Sequence, residues 1–202
     1  DEVDRRKVVV LVSKVANPFK YGVVLDPGHG GIDKGTNLGN LYEKDIVLRI
    51  VEYMVQDLRY NGCKVTLTRD SDILNSLRQV TDIVNNTNPD VFLSVHVNSN
   101  KDVKCTGIST YYYSPDGSQK TERLNFAKIL QSNAIKDDQW KDMGVISNNL
   151  MVLRQSNVPC ALIECGFISN AEDRDKLQKE EVLKRLAHNM NMGILEYLKS
   201  SK

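Results

Sequence analysis

Residues 23–35 read Val-Val-Leu-Asp-Pro-Gly-His-Gly-Gly-Ile-Asp-Lys-Gly, and this stretch is the most informative part of the sequence about the fold. It joins a short apolar run to a glycine-rich turn that carries one histidine. An apolar run of this kind is typical of a buried strand in an α/β protein. Loops at the carboxyl ends of such strands face ligands, and glycines let the backbone turn sharply with little bulk beside the imidazole. We therefore expect His29 to be presented at a strand end.

The rest of the chain alternates between helical and strand-like segments. This repeated order predicts an α/β fold in three layers (α/β/α), a mostly parallel, twisted sheet of about six strands with helices on both faces. We expect one domain over residues 1–202, with its core at about 21–198 and residues 1–20 as an N-terminal lead-in. The predicted helices cover 41–60, 73–86, 122–135 and 171–199, and the predicted strands cover 23–25, 64–68, 91–97, 107–114, 150–153 and 160–165.

The charge balance argues against two classes of partner. The chain has 27 basic and 26 acidic residues, which leaves a net charge of +1. The charges are interspersed, so we expect neither nucleic acid nor an anionic membrane surface as a partner. The sequence contains no run of 18 apolar residues, and no membrane-spanning helix is therefore predicted.

The cysteine spacing argues against a cysteine-based metal or redox site. The four cysteines are Cys63, Cys105, Cys160 and Cys165, and none lies in a Cys-x-x-Cys pair. A zinc ribbon or thioredoxin-like site is therefore unsupported. Cys160 and Cys165 lie in an apolar strand and are predicted to be small core residues. Pairing of Cys63 with Cys105 stays open.

Three candidate metal ligands fall where a sheet presents its functional groups. His29 follows the first strand, His96 ends the strand 91–97, and Glu43 lies at the start of the first helix, where its carboxylate projects back toward the mouth of the sheet. Two imidazoles and one carboxylate can hold one Zn²⁺ and leave a fourth position open. Such a site suits hydrolysis, because zinc activates water and polarises a carbonyl. We predict one zinc per chain at these residues.

A lone carboxylate completes this candidate site. Glu164 stands at the carboxyl end of an otherwise apolar strand, and strand alternation places it on the opposite face from Cys165. A charge at such a position is costly unless it is paired or lies beside a metal. We predict that Glu164 is the general base, which takes a proton from the attacking water and returns it to the leaving nitrogen.

Each of these residues also has an ordinary structural interpretation, and spacing alone leaves both open. A loop histidine is commonly a surface group, a strand histidine is commonly a hydrogen-bonded core residue, and a glutamate at a helix start interacts favourably with the helix dipole. The glycine-rich turn has an alternative role as a phosphate cradle. It lacks the G-x-G-x-x-G spacing and no P-loop lysine follows it, so no nucleotide cofactor is expected. His188 lies within the last predicted helix and is predicted to be structural.

Five spaced motifs carry a resemblance to a known family. They are Leu-Asp-Pro-Gly-His-Gly-Gly (25–31), Tyr-Glu-Lys-Asp (42–45), Thr-Arg-Asp (68–70), Phe-Leu-Ser-Val-His-Val-Asn-Ser (92–99) and Leu-Ile-Glu-Cys-Gly-Phe-Ile-Ser-Asn (162–170). In this order they resemble the zinc-dependent N-acetylmuramoyl-L-alanine amidases of the bacterial cell wall, in the branch called the type 3 amidase domain. The resemblance covers about residues 21–198 and implies a single catalytic amidase domain.

The resemblance assigns a reaction and a site. It implies cleavage of the amide between the lactyl group of N-acetylmuramic acid and the L-alanine of the peptidoglycan stem peptide. Zinc would be held by His29, Glu43 and His96, and Glu164 would be catalytic. Asn98 is expected to help bind the substrate, and Asp26 to support the loop or a histidine. Two further residues, Asp33 and Arg69, are expected to organise the loop.

The resemblance also suggests a biological setting. A compact member without repeats is most similar to the sporulation- and germination-specific branch that trims spore-cortex peptidoglycan ahead of muramic-lactam formation. That branch implies an extracytoplasmic location, at the cell wall or between the forespore and mother-cell membranes, with a targeting or anchor segment outside these 202 residues. It also leads us to expect a regulatory protein partner.

Two other functions stay open on the sequence. One is a different zinc hydrolase, such as a peptidase that cuts between amino acids of the stem peptide. The other is a regulated or inactive peptidoglycan-binding module that has kept the amidase fold. The presence of His29, Glu43, His96 and Glu164 favours an active enzyme over such a module.

Overall fold

A computed structural model describes residues 19–114 and 119–201. Of the predicted lead-in at 1–20, residues 1–18 lie outside this part of the chain. The strands are β1 (Tyr21–Pro27), β2 (Asn37–Leu38), β3 (Leu41–Tyr42), β4 (Cys63–Leu67), β5 (Val91–Asn98), β6 (Ile108–Tyr112), β7 (Asp142–Ser147) and β8 (Cys160–Phe167). The helices are α1 (Glu43–Tyr60), α2 (Leu77–Thr87), α3 (Gln119–Ala134), α4 (Met151–Arg154), α5 (Ala171–Leu177) and α6 (Glu180–Ser200).

A six-stranded, mostly parallel sheet forms the centre of the molecule, as predicted. Its strand order is β4-β1-β5-β8-β6-β7, and β2 pairs with β3 in a separate small ribbon ahead of α1. Neighbouring strands of the large sheet run parallel except for β6 and β8, which are antiparallel. β1, β5 and β8 are therefore adjacent and end at the same edge, so the residues at their carboxyl ends are brought together.

Helices cover both faces of this sheet, which confirms the three-layer prediction. The larger apolar cluster joins one face to α1, α3 and α6, and the smaller cluster joins the other face to α2 and α4. Alternation along each strand divides its side chains between the two clusters. In β5, for example, Leu93 belongs to the larger cluster and Phe92 to the smaller. The same alternation places His96 and Glu164 on the α2 and α4 side.

Residues 150–153 were expected to form a strand, and this prediction is wrong. Residues 151–154 form the short helix α4, whose Val152 and Leu153 pack into the smaller cluster. A short apolar run fits a strand or a helix equally well when only its pattern is considered. The sixth strand of the sheet is β7, which the sequence did not reveal because most of its side chains are exposed at the sheet edge.

The second helix is shorter than its predicted span of 73–86. It begins at Leu77 because Ser76 caps it, and Ser76 and Gln79 form a reciprocal capping box. Residues 73–76 are therefore free to form a loop beside the carboxyl ends of the strands. The other predicted helices and strands are present, with ends shifted by a few residues.

The structure answers the open question of cysteine pairing. All four cysteines are free, with Cys160 and Cys165 buried as predicted, and Cys63 does not pair with Cys105. No helix in the described ranges is both long and apolar enough to cross a membrane.

A buried aspartate connects the end of β8 to the start of β6. The carboxylate of Asp173 accepts hydrogen bonds from Thr106 Oγ1 at 2.7 Å, Gly107 N at 2.8 Å and Phe167 N at 2.9 Å, and the residue is 0% exposed. Removing such a carboxylate leaves buried donors without a partner.

We expect Asp173→Ala to lower the free energy of unfolding by about 3 kcal/mol, because two buried backbone donors and the part-buried Thr106 hydroxyl lose a charged acceptor. Asp175→Ala is the matched control, because Asp175 is on the same helix but is 66% exposed and pairs only with Lys179. Its effect should be within about 1 kcal/mol. Urea denaturation measures both changes, and equal losses would contradict this account of Asp173.

Candidate active site

His29 is held in place by its own loop. It adopts a left-handed backbone conformation, with φ of 62°, directly after β1. Its Nδ1 lies 2.8 Å from Asp33 Oδ2, and paired backbone hydrogen bonds between Gly30 and Asp33 close the turn. Asp33 thus orients the imidazole, as predicted for a loop-organising residue, and leaves Nε2 directed at Glu43, 3.3 Å from Oε2.

Glu43 is the point at which three parts of the chain meet. It is the first residue of α1 and is 3% exposed. Its Oε1 accepts a hydrogen bond from Val97 N at 3.0 Å and lies 2.9 Å from His96 Nδ1. Its Oε2 accepts from Thr36 N at 2.7 Å. The carboxylate is therefore fixed against β5 on one side and against the loop before α1 on the other.

The His96 ring packs against a backbone position that has no side chain. A Cβ added at Gly28 would overlap the imidazole of His96. The two histidine rings meet edge to face, with centroids 5.0 Å apart. Glycine at residue 28 is therefore required by the close approach of the ring.

The structure brings the three predicted ligands together. Among the described residues, His29, Glu43 and His96 each offer one ligand atom, and these atoms lie within 4.8 Å of one another. Two imidazole nitrogens and a carboxylate oxygen are a donor set found in catalytic zinc sites. The burial of Glu43 between two imidazoles fits a cation site, because a buried carboxylate needs positive charge nearby.

In the absence of metal, protons supply that positive charge. The hydrogen bond to Glu43, with help from Asp33, raises the pKa of His29 to about 9. Burial raises the pKa of Glu43, but the two imidazoles outweigh it and lower that pKa to about 2. Burial lowers the pKa of His96, but Glu43 and Glu164 more than offset this and the pKa is raised overall. Metal binding at this site therefore competes with protonation of the histidines.

Glu164 lies beside His96 on the neighbouring strand. The two residues are partners in the register of β5 and β8. Glu164 Oε2 is buried and has no hydrogen-bond partner among the described residues. Burial raises the pKa of this carboxyl to about 7, although His96 opposes the shift. A half-buried carboxyl with such a pKa and an unused, buried oxygen suits proton transfer near neutral pH.

Asp26 and Asn98, the two remaining predicted site residues, lie next to the site. Asp26 is buried and accepts hydrogen bonds of 2.6 Å from Thr68 Oγ1 and Ser94 Oγ, so it joins the ends of β1, β4 and β5. It has no hydrogen bond to either histidine, and its support for the site is through the strand ends. Asn98 lies at the end of β5, where its Oδ1 accepts from Ser99 N. Its expected role in substrate binding stays a prediction.

Arg69 organises the loop, as expected, through backbone carbonyls. The buried guanidinium donates to Pro27 O at 2.8 Å, Gly28 O at 3.0 Å and Lys44 O at 2.9 Å. These bonds connect the histidine loop to the first turn of α1, which carries Glu43.

Sequence reasoning missed a second connection between the same two segments. Lys44 Nζ donates to Gly31 O at 2.9 Å and to Asp72 Oδ2 at 2.6 Å, while Asp72 Oδ1 accepts from Gly31 N at 2.7 Å. The sequence indicated this connection only through the position of Lys44 next to Glu43. The partners of Lys44 could not be inferred, because Gly31 and Asp72 lie 13 and 28 residues away from it.

Comparisons with known proteins agree with this geometry. The family model described as N-acetylmuramoyl-L-alanine amidase matches residues 23–196. The sporulation-specific N-acetylmuramoyl-L-alanine amidase of Bacillus subtilis (strain 168) is 34% identical over 174 residues, which cover 85% of this chain and 66% of that protein.

The crystal structure of an N-acetylmuramoyl-L-alanine amidase from Clostridium difficile 630 superposes with a TM-score of 0.84 at 36% identity, over 90% of this chain and 98% of that one. The CwlD amidase from Clostridioides difficile, solved in complex with the GerS lipoprotein, has a TM-score of 0.78 at 28% identity, over 89% and 99% of the two chains.

We expect Gly28→Ala to weaken Zn²⁺ binding about 10- to 100-fold, since the new methyl group displaces the His96 ring. Gly22→Ala is the control, because Gly22 lies on β1, the strand that leads into Gly28, and an added Cβ there meets its neighbours only at 3.4 Å or more. Competition against a chromophoric chelator measures both affinities. Equal affinities for the two variants would rule out this role of Gly28.

Zinc affinity should rise with pH by about tenfold per pH unit for each proton displaced. The rise should begin at about pH 7 or below and level off only above about pH 9, once most of His29 has lost its proton. The sign follows because the raised pKa keeps His29 protonated below about pH 9 and zinc requires the neutral ring. Titration calorimetry in buffers of different ionisation enthalpy counts the released protons. Zinc binding without proton release at about pH 7 would contradict the expected protonation state.

Proposed function

The chain belongs to the N-acetylmuramoyl-L-alanine amidase family, and we propose that it is a zinc-dependent hydrolase of peptidoglycan. The bond cut is the amide between the lactyl group of N-acetylmuramic acid and L-alanine of the stem peptide. The observation that supports this most directly is the convergence of His29, Glu43 and His96. Glu164 lies beside them, and its Oε2 has no hydrogen-bond partner in the described part of the chain. We further propose that residues 21–198 form a single catalytic domain.

His29, Glu43 and His96 would hold one Zn²⁺ per chain. When bound, zinc supplies Lewis-acid polarisation of the amide carbonyl and activation of water. The protein's part is to hold these donors in place before the metal arrives. Asp33, Thr36 N and Val97 N do so through their contacts with His29 and Glu43.

Glu164 moves the proton in this proposal. Its Oε2 accepts a proton from the attacking water and then gives it to the leaving nitrogen of L-alanine. The water oxygen bonds to the carbonyl carbon and the C–N bond breaks, so the lactyl group becomes a free carboxylate and the stem peptide leaves with a free amine. A carboxyl with a pKa of about 7 can both accept and donate a proton near neutral pH.

The proposal can be separated from two alternatives by their products. A peptidase acting on the stem peptide would release fragments cut between amino acids and would leave muramoyl-L-alanine intact. A wall-binding module would bind peptidoglycan without cutting it. The three donors and Glu164 favour an enzyme over a wall-binding module, and the family match favours the amidase over the peptidase.

The cellular setting is a further part of the proposal. Cell-wall amidases among the relatives imply action outside the cytoplasm. We place this chain in spore-cortex maturation because of its 34% identity with the sporulation-specific amidase. The structural likeness to CwlD, whose solved complex contains a lipoprotein, supports the expectation of a regulatory protein partner. Muramic-lactam content of cortex from a strain lacking this protein tests that setting.

Glu164→Gln should lower kcat/KM about 10²- to 10⁴-fold on a muramoyl-L-alanyl peptide and leave zinc content near one per chain, because the amide cannot carry the proton. Glu172→Gln is the matched control, because Glu172 is 72% exposed on a nearby helix. Mass spectrometry of the products gives the activity, and metal analysis gives the zinc content.

Three outcomes of this experiment would be decisive against parts of the proposal. Near-full activity of Glu164→Gln would exclude Glu164 as the proton carrier. Cleavage between amino acids would identify a peptidase. Full zinc occupancy of the unaltered protein without cleavage of any muramoyl substrate would favour the binding module.

A further inference from the structure

The strand that carries Glu164 contains a β-bulge directly after this residue. The register pairs His96 with Glu164 and then Asn98 with Phe167. Between these two pairs, β5 has one residue, whereas β8 has two, at 165–166. A bulge of this kind bends the strand, increases its twist and can re-direct a neighbouring side chain. The bulge therefore lies where it can affect the direction of the Glu164 side chain.

The bulge places two consecutive positions of β8 on the same face of the sheet. Cys165 packs into the larger apolar cluster, and strand alternation alone would place residue 166 on the opposite face, with Glu164. A Cβ added at Gly166 would instead lie 2.8 Å from Cζ3 of Trp140, which also belongs to the larger cluster. Gly166 has a φ of 99°, which residues with a side chain rarely adopt. The indole ring thus packs directly against the backbone of the bulge.

Trp140 is held over the bulge in spite of two unfavourable features. Asp138 and Gln139, which precede it, have φ of 60° and 53°, a left-handed conformation that is unfavourable for residues other than glycine. The indole Nε1 is buried and has no hydrogen-bond partner among the residues that the structure describes. Lys176 Nζ lies 4.8 Å from the ring centroid and donates to Gln139 O at 3.2 Å. Such strain persists where the surrounding structure imposes it, and it clusters at functional sites.

Asp173 holds the chain on the far side of the bulge. Its Oδ2 accepts hydrogen bonds from Phe167 N at 2.9 Å and from Gly107 N at 2.8 Å. The same oxygen lies 3.4 Å from the position that a Cβ at Gly166 would take. The backbone of the bulge is therefore enclosed between the Asp173 carboxylate and the Trp140 ring.

We propose that Trp140 is a positioning residue, whose ring holds the bulge at 165–166 and through it directs the Glu164 carboxyl at the reacting amide. This role rests on the proposed amide hydrolysis, in which Glu164 carries the proton. Trp140 acts through the backbone of β8, because it packs on the opposite face of the sheet from Glu164. Displacement of the ring should lower kcat more than it weakens substrate or zinc binding, because proton transfer depends steeply on distance.

Gly166→Ala tests this role, because its methyl group overlaps the Trp140 ring. We expect kcat on a muramoyl-L-alanyl peptide to fall about 10- to 100-fold, with KM and zinc affinity close to those of the unaltered protein. Gly144→Ala is the matched control. Gly144 lies on β7 of the same sheet and also has a positive φ, of 80°, but an added Cβ there meets nothing within 4 Å. It carries the backbone strain without the ring overlap and should keep its kcat.

A rescue experiment separates the ring overlap from the backbone strain. Combining Trp140→Leu with Gly166→Ala should raise kcat above that of Gly166→Ala alone, since the smaller side chain makes room for the methyl group. Two variants of Trp140 test the role without any change at Gly166. Trp140→Phe keeps an aromatic ring over the bulge, and its kcat should therefore fall less than that of Trp140→Leu.

Trp140 also supplies a measurement that does not depend on activity. It is the single tryptophan of the chain and is 6% exposed, so the fluorescence of the protein reports the surroundings of this ring. Gly166→Ala should shift the emission to longer wavelength as the ring is displaced toward water. Gly144→Ala should leave the emission unchanged.

Three results would overturn the positioning role while the proposed function stands. They are equal kcat values for Gly166→Ala and Gly144→Ala, absence of rescue by Trp140→Leu, and a loss of activity that lies only in KM or in zinc affinity. Absence of amide cleavage by the unaltered zinc-loaded protein would overturn the proposed function and the catalytic role of the bulge together. The fluorescence shift of Gly166→Ala would then still report the packing of the ring against the bulge.

Discussion

The buried carboxylate of Glu43 is the interaction on which the rest of the site depends. It starts α1, accepts a backbone hydrogen bond from β5 and another from the loop before the helix, and faces both imidazoles. A carboxylate buried in this way is stable only while positive charge or hydrogen-bond donors surround it. The same requirement aligns His29 and His96 with the carboxylate, and this brings three potential ligand atoms together.

The backbone around Glu43 is held by a second set of contacts. Arg69 and the Lys44–Asp72 pair connect the histidine loop with the first turn of α1. Gly28 then leaves the space that the His96 ring occupies. These contacts fix the backbone on which the ligands stand, and this gives a catalytic site the rigidity that it needs to keep its geometry.

The surroundings of His96 combine a proton carrier with an apolar surface. Its register partner on β8 is Glu164, a carboxyl whose pKa is raised by burial, which suits proton transfer. A cleft with mostly apolar walls reaches His29 and His96 and is lined from β1 and β8 of the sheet and from α2 and α4. The site therefore places a group that can move a proton close to a surface that favours apolar parts of a ligand.

The sequence alone predicted a mostly parallel sheet, the edge at which the candidate site lies, and four candidate site residues, which are His29, Glu43, His96 and Glu164. These predictions were possible because the spacing of apolar residues and the positions of turn residues are local features of the sequence. The carboxyl ends of parallel strands also meet at one edge of a sheet, so residues that end such strands come together. Only the tertiary structure decided that residues 151–154 form a helix, that β7 completes the sheet, and that α2 and α4 enclose a cleft beside the histidines. A short apolar run adopts whichever form its distant partners allow, and the distances between ligands depend on contacts between segments far apart in the chain. Local pattern does not encode these contacts, which is why the candidate ligands could be identified from the sequence and their arrangement could not.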